Sequence, residues 1–208
     1  MEDRKVILKI EHLCKDFDIK AKSFTGKALK LHALSDISLD IYEGETLGII
    51  GESGCGKSTL GRCLVNLHPI TSGKLVYDGK ELNRLRKKER QALSREIQMV
   101  FQDPYSSLDP RHTAADSVEE PMIVHKTPAT ARERQERTIG LFKEVGLDMQ
   151  HLNRYPHEFS GGQRQRLNIA RAIASNPRVV ICDEPVSALD VSIQAQVINL
   201  FKKLQKAF

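Results

Sequence analysis

The sequence predicts an α/β fold. An antiparallel β-lobe leads into a core of short strands and helices, a helical insertion interrupts that core, and the chain then returns to it. Three observations carry this reading. Ile37, Leu39 and Ile41 alternate with Ser38, Asp40 and Tyr42, the period of a half-buried strand. Thr46 to Ile50 is a short apolar run that passes directly into a glycine-rich turn and a helical pattern. From Asp103 to Asn176, helix caps and helical spacing replace strand signals.

The elements follow in order. Val6 to Ile10 is apolar and strand-like, and Glu43-Gly44-Glu45 closes the alternating strand. Lys57 to Leu67 carries apolar residues at helical spacing until Pro69. Lys74 to Tyr77 reads as a strand ended by an Asp78-Gly79 turn, and Arg84 to Leu93 as a charged helix. The run Arg84-Leu85-Arg86-Lys87-Lys88 is followed by Glu89 and Glu96, the pattern of a solvated helix face rather than a nucleic-acid patch. Ile97 to Phe101 is strand-like. Thr127 before Pro128 is the expected cap of a helix that Gly146 stops. Ser160 is the expected cap of a helix from Gly161 to Ala174, ended at Asn176-Pro177. Val179 to Cys182 reads as a short buried strand. Ser192 to Lys206 places Ile193, Val197, Leu200, Phe201 and Leu204 on one helical face.

Composition bounds the function. The 208 residues are 40% hydrophobic and 28% charged, with 13 Gly and 8 Pro, which excludes a disordered or collagen-like chain. No apolar run approaches the roughly 20 residues that cross a bilayer, and the start lacks the apolar stretch of a secretory signal. A cytoplasmic protein is expected. Thirty-two Lys and Arg against 27 Asp and Glu give a net charge of +5, which is compatible with an anionic ligand, a nucleic acid or an anionic membrane and selects none. Cys14, Cys55, Cys63 and Cys182 show no C-x-x-C pair, so reduced thiols are expected.

The chemistry-bearing motifs come next. Gly51-Glu52-Ser53-Gly54-Cys55-Gly56-Lys57-Ser58, followed by Thr59, fits G-x-x-x-x-G-K-[ST] between a predicted strand and a helix. In such a P-loop, backbone N–H groups curl around phosphate oxygens, Lys57 reaches the β- and γ-phosphates, and the Ser58 hydroxyl binds Mg²⁺. Val179 to Cys182 ends in Asp183-Glu184, where a parallel sheet presents groups to its ligand edge. There Asp183 would hold Mg²⁺, and Glu184 would polarise the water that attacks the γ-phosphate. Phe159-Ser160-Gly161-Gly162-Gln163 is a Ser-capped helix start bearing two glycines, a second place for a phosphate to approach closely. Cys55 lies in the phosphate loop near Lys57 and a helix N-terminus, a setting that lowers a thiol pKa. Its alkylation is expected to block ATP binding; the alternative is an inert small residue.

These motifs, in this order, resemble the ATP-binding cassette (ABC) ATPases, whose signature normally begins with Leu where this chain has Phe159. The resemblance implies a P-loop NTPase (RecA-like) core with an N-terminal antiparallel β-lobe and an inserted helical signature subdomain. It implies a single domain over 1–208, with 1–102 as β-lobe and P-loop core, 103–176 as the helical signature subdomain and 177–208 as the return to the core. It makes Gln102 the Q-loop glutamine that meets Mg²⁺ and Ser187-Ala188-Leu189-Asp190 the D-loop. It also makes Phe17 the ring placed against adenine, with Phe24 as the rival. Ser160 to Gln163 would face the nucleotide held by a partner's P-loop, so that ATP joins a dimer.

Phe101 to Arg111, Arg154 to Phe159 and Glu184 to Ser192 look like the ATPase subunits of bacterial oligopeptide and dipeptide importers, a group that includes nickel and glutathione importers. The expectations that follow are ATP and Mg²⁺ as cofactors, an identical or homologous ATPase as dimer partner, two membrane permease subunits and an external substrate-binding protein. No nucleic acid is expected. The place implied is the cytoplasmic face of the cell membrane. Residues Gln102 to about Ile123, with Tyr105 and Leu108, are expected to contact the permease. The alternatives are a nucleotide-binding module without turnover and an ABC ATPase acting on DNA or the ribosome. One family feature has no counterpart: the switch histidine beyond the catalytic Glu, since the last histidine is His157. From the resemblance we expect a C-terminally truncated domain. Its central strands would lack neighbours, and the chain alone would be poorly stable and slow in hydrolysis.

Overall fold

The computed structural model describes residues 4–19, 29–128 and 130–207. Phe24, the alternative adenine ring, lies outside the described residues, as does Phe208. Two compact units form, Met1–Arg90 and Gln91–Phe208.

In the first unit, β1 (Val6–Ile19) pairs antiparallel with β2 (Leu29–Tyr42) on one edge and with β3 (Ser72–Tyr77) on the other. A short β4 (Lys80–Glu81) completes the order β2-β1-β3-β4. The expected antiparallel lobe is therefore present, with β1 and β2 both longer than the sequence pattern predicts. Ile7, Leu8, Ile10 and Leu13 of β1, Leu34 of β2 and Leu75 and Tyr77 of β3 are buried, as are Leu60, Cys63 and Leu64 of α1 (Lys57–Leu64). Each buried Leu or Ile contributes about 1.5–3 kcal/mol relative to exposure. Helix α1 stops short of the expected Leu67, because Asn66 turns left-handed at φ 59°.

The strand expected over Thr46–Ile50 is not formed: the segment joins no ladder, and Ile50 is 98% exposed. An isolated strand has no partner for its backbone donors and acceptors, and among the described residues none lies alongside. The helix expected over Arg84–Leu93 also differs. A 3-10 turn, Leu82–Arg84, is followed by extended Leu85, and α2 then runs over Lys87–Glu96. The Glu89 carboxylate accepts from the Arg86 N–H at 2.7 Å, a local bond that shifts the start of the helix.

In the second unit, β5 (Ile97–Val100) and β6 (Val179–Cys182) pair in parallel, Ile97 opposite Val179 and Val100 opposite Cys182. Val179 to Ile181 are half-buried rather than buried, since β6 is paired along one edge only among the described residues. Four helices enclose the core: α3 (Ala114–His125), α4 (Ala131–Val145), α5 (Gly161–Ile173) and α6 (Val191–Ala207). Val118, Met122, Leu141, Phe142, Val145, Leu167 and Ile169 form its fully buried centre. Val197, Leu200 and Leu204 bury the expected face of α6, with Ile193 and Phe201 packed against the same core.

Helix α4 is capped by Thr130, not Thr127: Thr130 and Glu133 close a reciprocal capping box, and Gly146 ends the helix at φ 72° as predicted. The Thr130 hydroxyl accepts the Glu133 N–H, a bond that fixes the helix start beyond Pro128. No described helix is long and apolar enough to cross a membrane.

Candidate functional site

In the first unit, Gly51 to Ser58 forms a loop that turns into α1 at Lys57, with Gly51 to Cys55 exposed and Gly56 to Thr59 half-covered. Gly56 is the N-cap of α1 at φ 99°, with no side-chain cap and no acidic residue in the first turn. This helix start therefore has no capping side chain or first-turn carboxylate of its own, the arrangement that receives phosphate. A Cβ on Gly56 would lie 2.6 Å from the Ala33 carbonyl oxygen, so β2 presses directly on the loop and only glycine fits.

Lys57 Nζ donates to the carbonyls of Gly51 at 2.8 Å and Glu52 at 2.7 Å, and its ammonium stands 3.8 Å from Cys55 Sγ. The loop is thus folded around its own cation, with Ser53 and Gly54 at its tip. Phe17 lies on β1 in the same unit. Its ring centre lies 4.6 Å from the Lys15 ammonium and 5.4 Å from that of His68, the two rings nearly perpendicular.

In the second unit, the parallel pair delivers two segments to one end. Asp183 N–H donates to the Val100 carbonyl at 2.9 Å, extending the ladder by one bond. Just beyond it, Gln102 Nε2 donates to Glu184 Oε2 at 2.8 Å and approaches Ser187 Oγ at 3.4 Å. Asp183 is 7% exposed, while Glu184 is open to solvent and sits at φ 43°. That region is unfavourable for a non-glycine residue and costs about 1–3 kcal/mol, a cost that clusters at functional sites. The Ser187 hydroxyl donates to the Glu184 carbonyl at 3.1 Å and holds the turn, while Ala188 is exposed. The Asp190 carbonyl accepts from Ile193 and Gln194 and starts α6.

Phe159 is buried, edge-on to His151 at 5.4 Å, so this position is filled for packing. Ser160 caps α5 as predicted: its hydroxyl accepts the Gln163 N–H at 3.3 Å, and Gln163 Oε1 accepts the Ser160 N–H at 3.0 Å. A Cβ on Gly162 would stand 2.7 Å from Ile193 Cγ2, and one on Gly161 would stand 3.7 Å from Leu189 Cδ2. The two glycines let the start of α5 pack closely on the turn that contains Ala188 and Leu189 and on α6.

Three polar residues not singled out by the sequence reading fasten the segment after Gln102 to α5. The Arg164 guanidinium lies 3.5 Å over the Tyr105 ring and donates to the Pro156 carbonyl. Asn168 accepts from Ser107 Oγ at 2.9 Å and donates to the Pro104 carbonyl. Arg171 donates to the Ser107 carbonyl at 2.9 Å and to Glu120 on α3 at 2.8 Å. Their i, i+4, i+7 spacing on a helix of buried apolar residues is the signal available in the sequence. Within the segment, the Asp103 carboxyl is held below the usual range by the Tyr105 N–H, and Asp109 well below it by the Arg111 guanidinium. Tyr105 is 61% exposed, but Leu108 is buried, so the expected surface role of Leu108 does not hold: it belongs to the core.

Of the expected Mg²⁺ ligands, Gln102 and Asp183 stand at the same end of the β5–β6 pair, and Ser58 lies in the other unit. Gln102 and Asp183 offer amide and carboxylate oxygens, hard donors of the kind Mg²⁺ takes. No cluster of three or more His, Cys, Asp or Glu arranged for a metal occurs among the described residues.

Comparison with known proteins places this geometry. The family model "ABC transporter" matches residues 34–187. The chain is 50% identical over 96% of its length to the oligopeptide transport ATP-binding protein OppF of Bacillus subtilis, covering 64% of that protein. It is 48% identical over 99% of its length to OppF of Escherichia coli, covering 62%. It is 50% identical over 97% of its length to the glutathione import ATP-binding protein GsiA of Pectobacterium atrosepticum, covering 32%. The chain therefore spans less than two thirds of these relatives. A dimeric post-hydrolysis structure of the ATP-binding cassette MJ0796 bound to ADP and Pi superposes with a TM-score of 0.85 at 33% identity, covering 97% of this chain and 84% of that one. The P-loop fold read from the motifs is thus shared with a cassette of solved structure, and the chain belongs to the ABC transporter family.

Proposed function

We propose that the chain is the ATP-binding and ATP-hydrolysing subunit of a membrane importer, with oligopeptides as the leading cargo class and glutathione as the next. The observation that carries hydrolysis is the hydrogen bond from Gln102 to Glu184 at the end of the parallel pair. It supports the reading by joining an exposed carboxylate at the end of the parallel pair to a side chain that can sense its state. In this reading the Gly51 to Thr59 loop binds the triphosphate, and Lys57 leaves the Gly51 and Glu52 carbonyls for phosphate oxygens. Phe17 stacks on adenine. Ser58, Gln102 and Asp183 would hold Mg²⁺, which neutralises phosphate charge when bound. Glu184 accepts the proton of the attacking water. Ser160 to Gln163, with its two glycines, contacts the nucleotide of a second ATPase subunit, and Ser187 to Asp190 supports that contact.

The dimeric state of MJ0796 and the import roles in the names of OppF and GsiA support the dimer and a pair of permease subunits at the cytoplasmic membrane face. An external substrate-binding protein completes the assembly. The exposed Tyr105 and Ile123 suit the permease contact.

The test is ATP binding and Mg²⁺-dependent phosphate release in two variants. Lys57→Ala should weaken ATP binding by at least about 10-fold. Glu184→Gln should retain binding and lower turnover on the order of 10²–10⁴-fold. Unchanged turnover in Glu184→Gln contradicts its role as base. Binding without turnover in the unaltered protein makes this a nucleotide-binding module instead.

A further inference from the structure

Lys15 precedes Phe17 on the same face of β1 and is only 8% exposed. Its ammonium stands 4.6 Å from the centre of the Phe17 ring, and no described carboxylate forms an ion pair with it. Leu34 faces Lys15 across the ladder, and a Cβ on Gly56 would stand 2.9 Å from Leu34 Cδ2. On the helix side, burial pushes the Cys63 thiol of α1 up, and the Lys15 charge pulls partly the other way. The ammonium is therefore near enough to the helix that carries the phosphate loop to act on a thiol within it. A buried ammonium without a counter-charge is unfavourable, and a ring face offsets only part of that. His68 stands nearly perpendicular to the same ring, at an interplanar angle of 86°, so the ring is contacted by the ammonium and by a second ring.

We propose that Lys15 is a positioning residue for the Phe17 ring: its ammonium claims one face, fixes the ring's orientation and draws π density inward, so that the opposite face stacks on an electron-rich purine base. This rests on the reading of Phe17 as the base-stacking residue. Lys15 then acts on the base end of the nucleotide, through Phe17, and not on the phosphates, which belong to Lys57 and the loop. That separation is what a merely structural lysine would not produce.

The experiment measures binding of Mg²⁺-ATP and of Mg²⁺-tripolyphosphate, which has no base, to the protein and to Lys15→Met, Lys15→Arg, Phe17→Ala and the Lys15→Met/Phe17→Ala pair. Lys15→Met should weaken ATP about 3- to 10-fold and leave tripolyphosphate unchanged, with Lys15→Arg restoring most of the loss. In the pair, Lys15→Met should add nothing to Phe17→Ala, since both losses run through one ring. Equal weakening of ATP and tripolyphosphate in Lys15→Met, or full additivity in the pair, overturns the proposal. A loss in Phe17→Ala without one in Lys15→Met overturns it while leaving the Phe17 reading intact, and no ATP loss in either overturns both.

Discussion

At Gly56 two constraints coincide: a left-handed backbone at φ 99° and an Ala33 carbonyl where a Cβ would stand. Gly56→Ala should therefore destabilise the first unit by about 1–3 kcal/mol and abolish ATP binding; a native melting temperature with intact binding contradicts this. Cys55 makes a milder test. Its sulfur neighbours the Lys57 ammonium at 3.8 Å, so bound Mg²⁺-ATP should slow its alkylation, and equal rates with and without nucleotide contradict its place in the site. The loop was readable from sequence because backbone cradling of phosphate fixes both glycine spacing and the lysine after it. Lys15 was not. A lysine on a strand reads as solvated, and its burial arises from how β1 pairs with its neighbours in the sheet, which no local pattern encodes. Glu184 was readable as a carboxylate at a strand end, but its left-handed backbone and its bond to Gln102 depend on the register of β5 against β6.

Helix starts were legible where a cap stands in sequence with its reciprocal partner, and misplaced where two candidates compete. Ser160 with Gln163 is unambiguous. Thr127 lost to Thr130 because only Thr130 has a Glu at the third helical position. Helix α3 carries Pro121 within it, which masks its period; tertiary burial of Val118 and Met122 holds it in place. The strand over Thr46–Ile50 shows the converse, a good local pattern that stays irregular without a neighbour. Ser160→Ala should cost about 1 kcal/mol, read as a lower melting temperature of the second unit, with Ser160→Thr close to the original.

Acid should act on these same elements in two stages. Burial and Arg95 depress His125 below its ordinary 6.5, so its contribution is present above 6.5 and lost as pH falls below it. The Thr113 and Thr130 hydroxyls hold Asp116 and Glu133 below 3.8 and 4.5, contributions kept at neutral pH and lost as pH falls through those lowered values. Melting temperature against pH should fall in both windows, and His125→Gln should remove the first; an unchanged first window contradicts its assignment to His125.

Across the whole molecule, the first unit carries the phosphate loop and the second carries the strand-end carboxylates and the signature helix. The first holds a phosphate loop closed on its own lysine. The second holds Glu184 and Gln102 together with a capped signature helix, and Arg164, Asn168 and Arg171 bind the segment after Gln102 to that helix. These contacts tie the helix to the segment that follows Gln102, the residue that touches Glu184. Whole-chain similarity to importer ATPases was legible because the motifs recur in fixed order, whereas the fastening of segment to helix required the fold. The most direct test of this account is the molar mass of the Glu184→Gln protein by light scattering in Mg²⁺-ATP and in Mg²⁺-ADP. The account predicts a dimer with one nucleotide per chain in ATP and a monomer in ADP; a monomer in both, or a dimer that ignores the nucleotide, contradicts it.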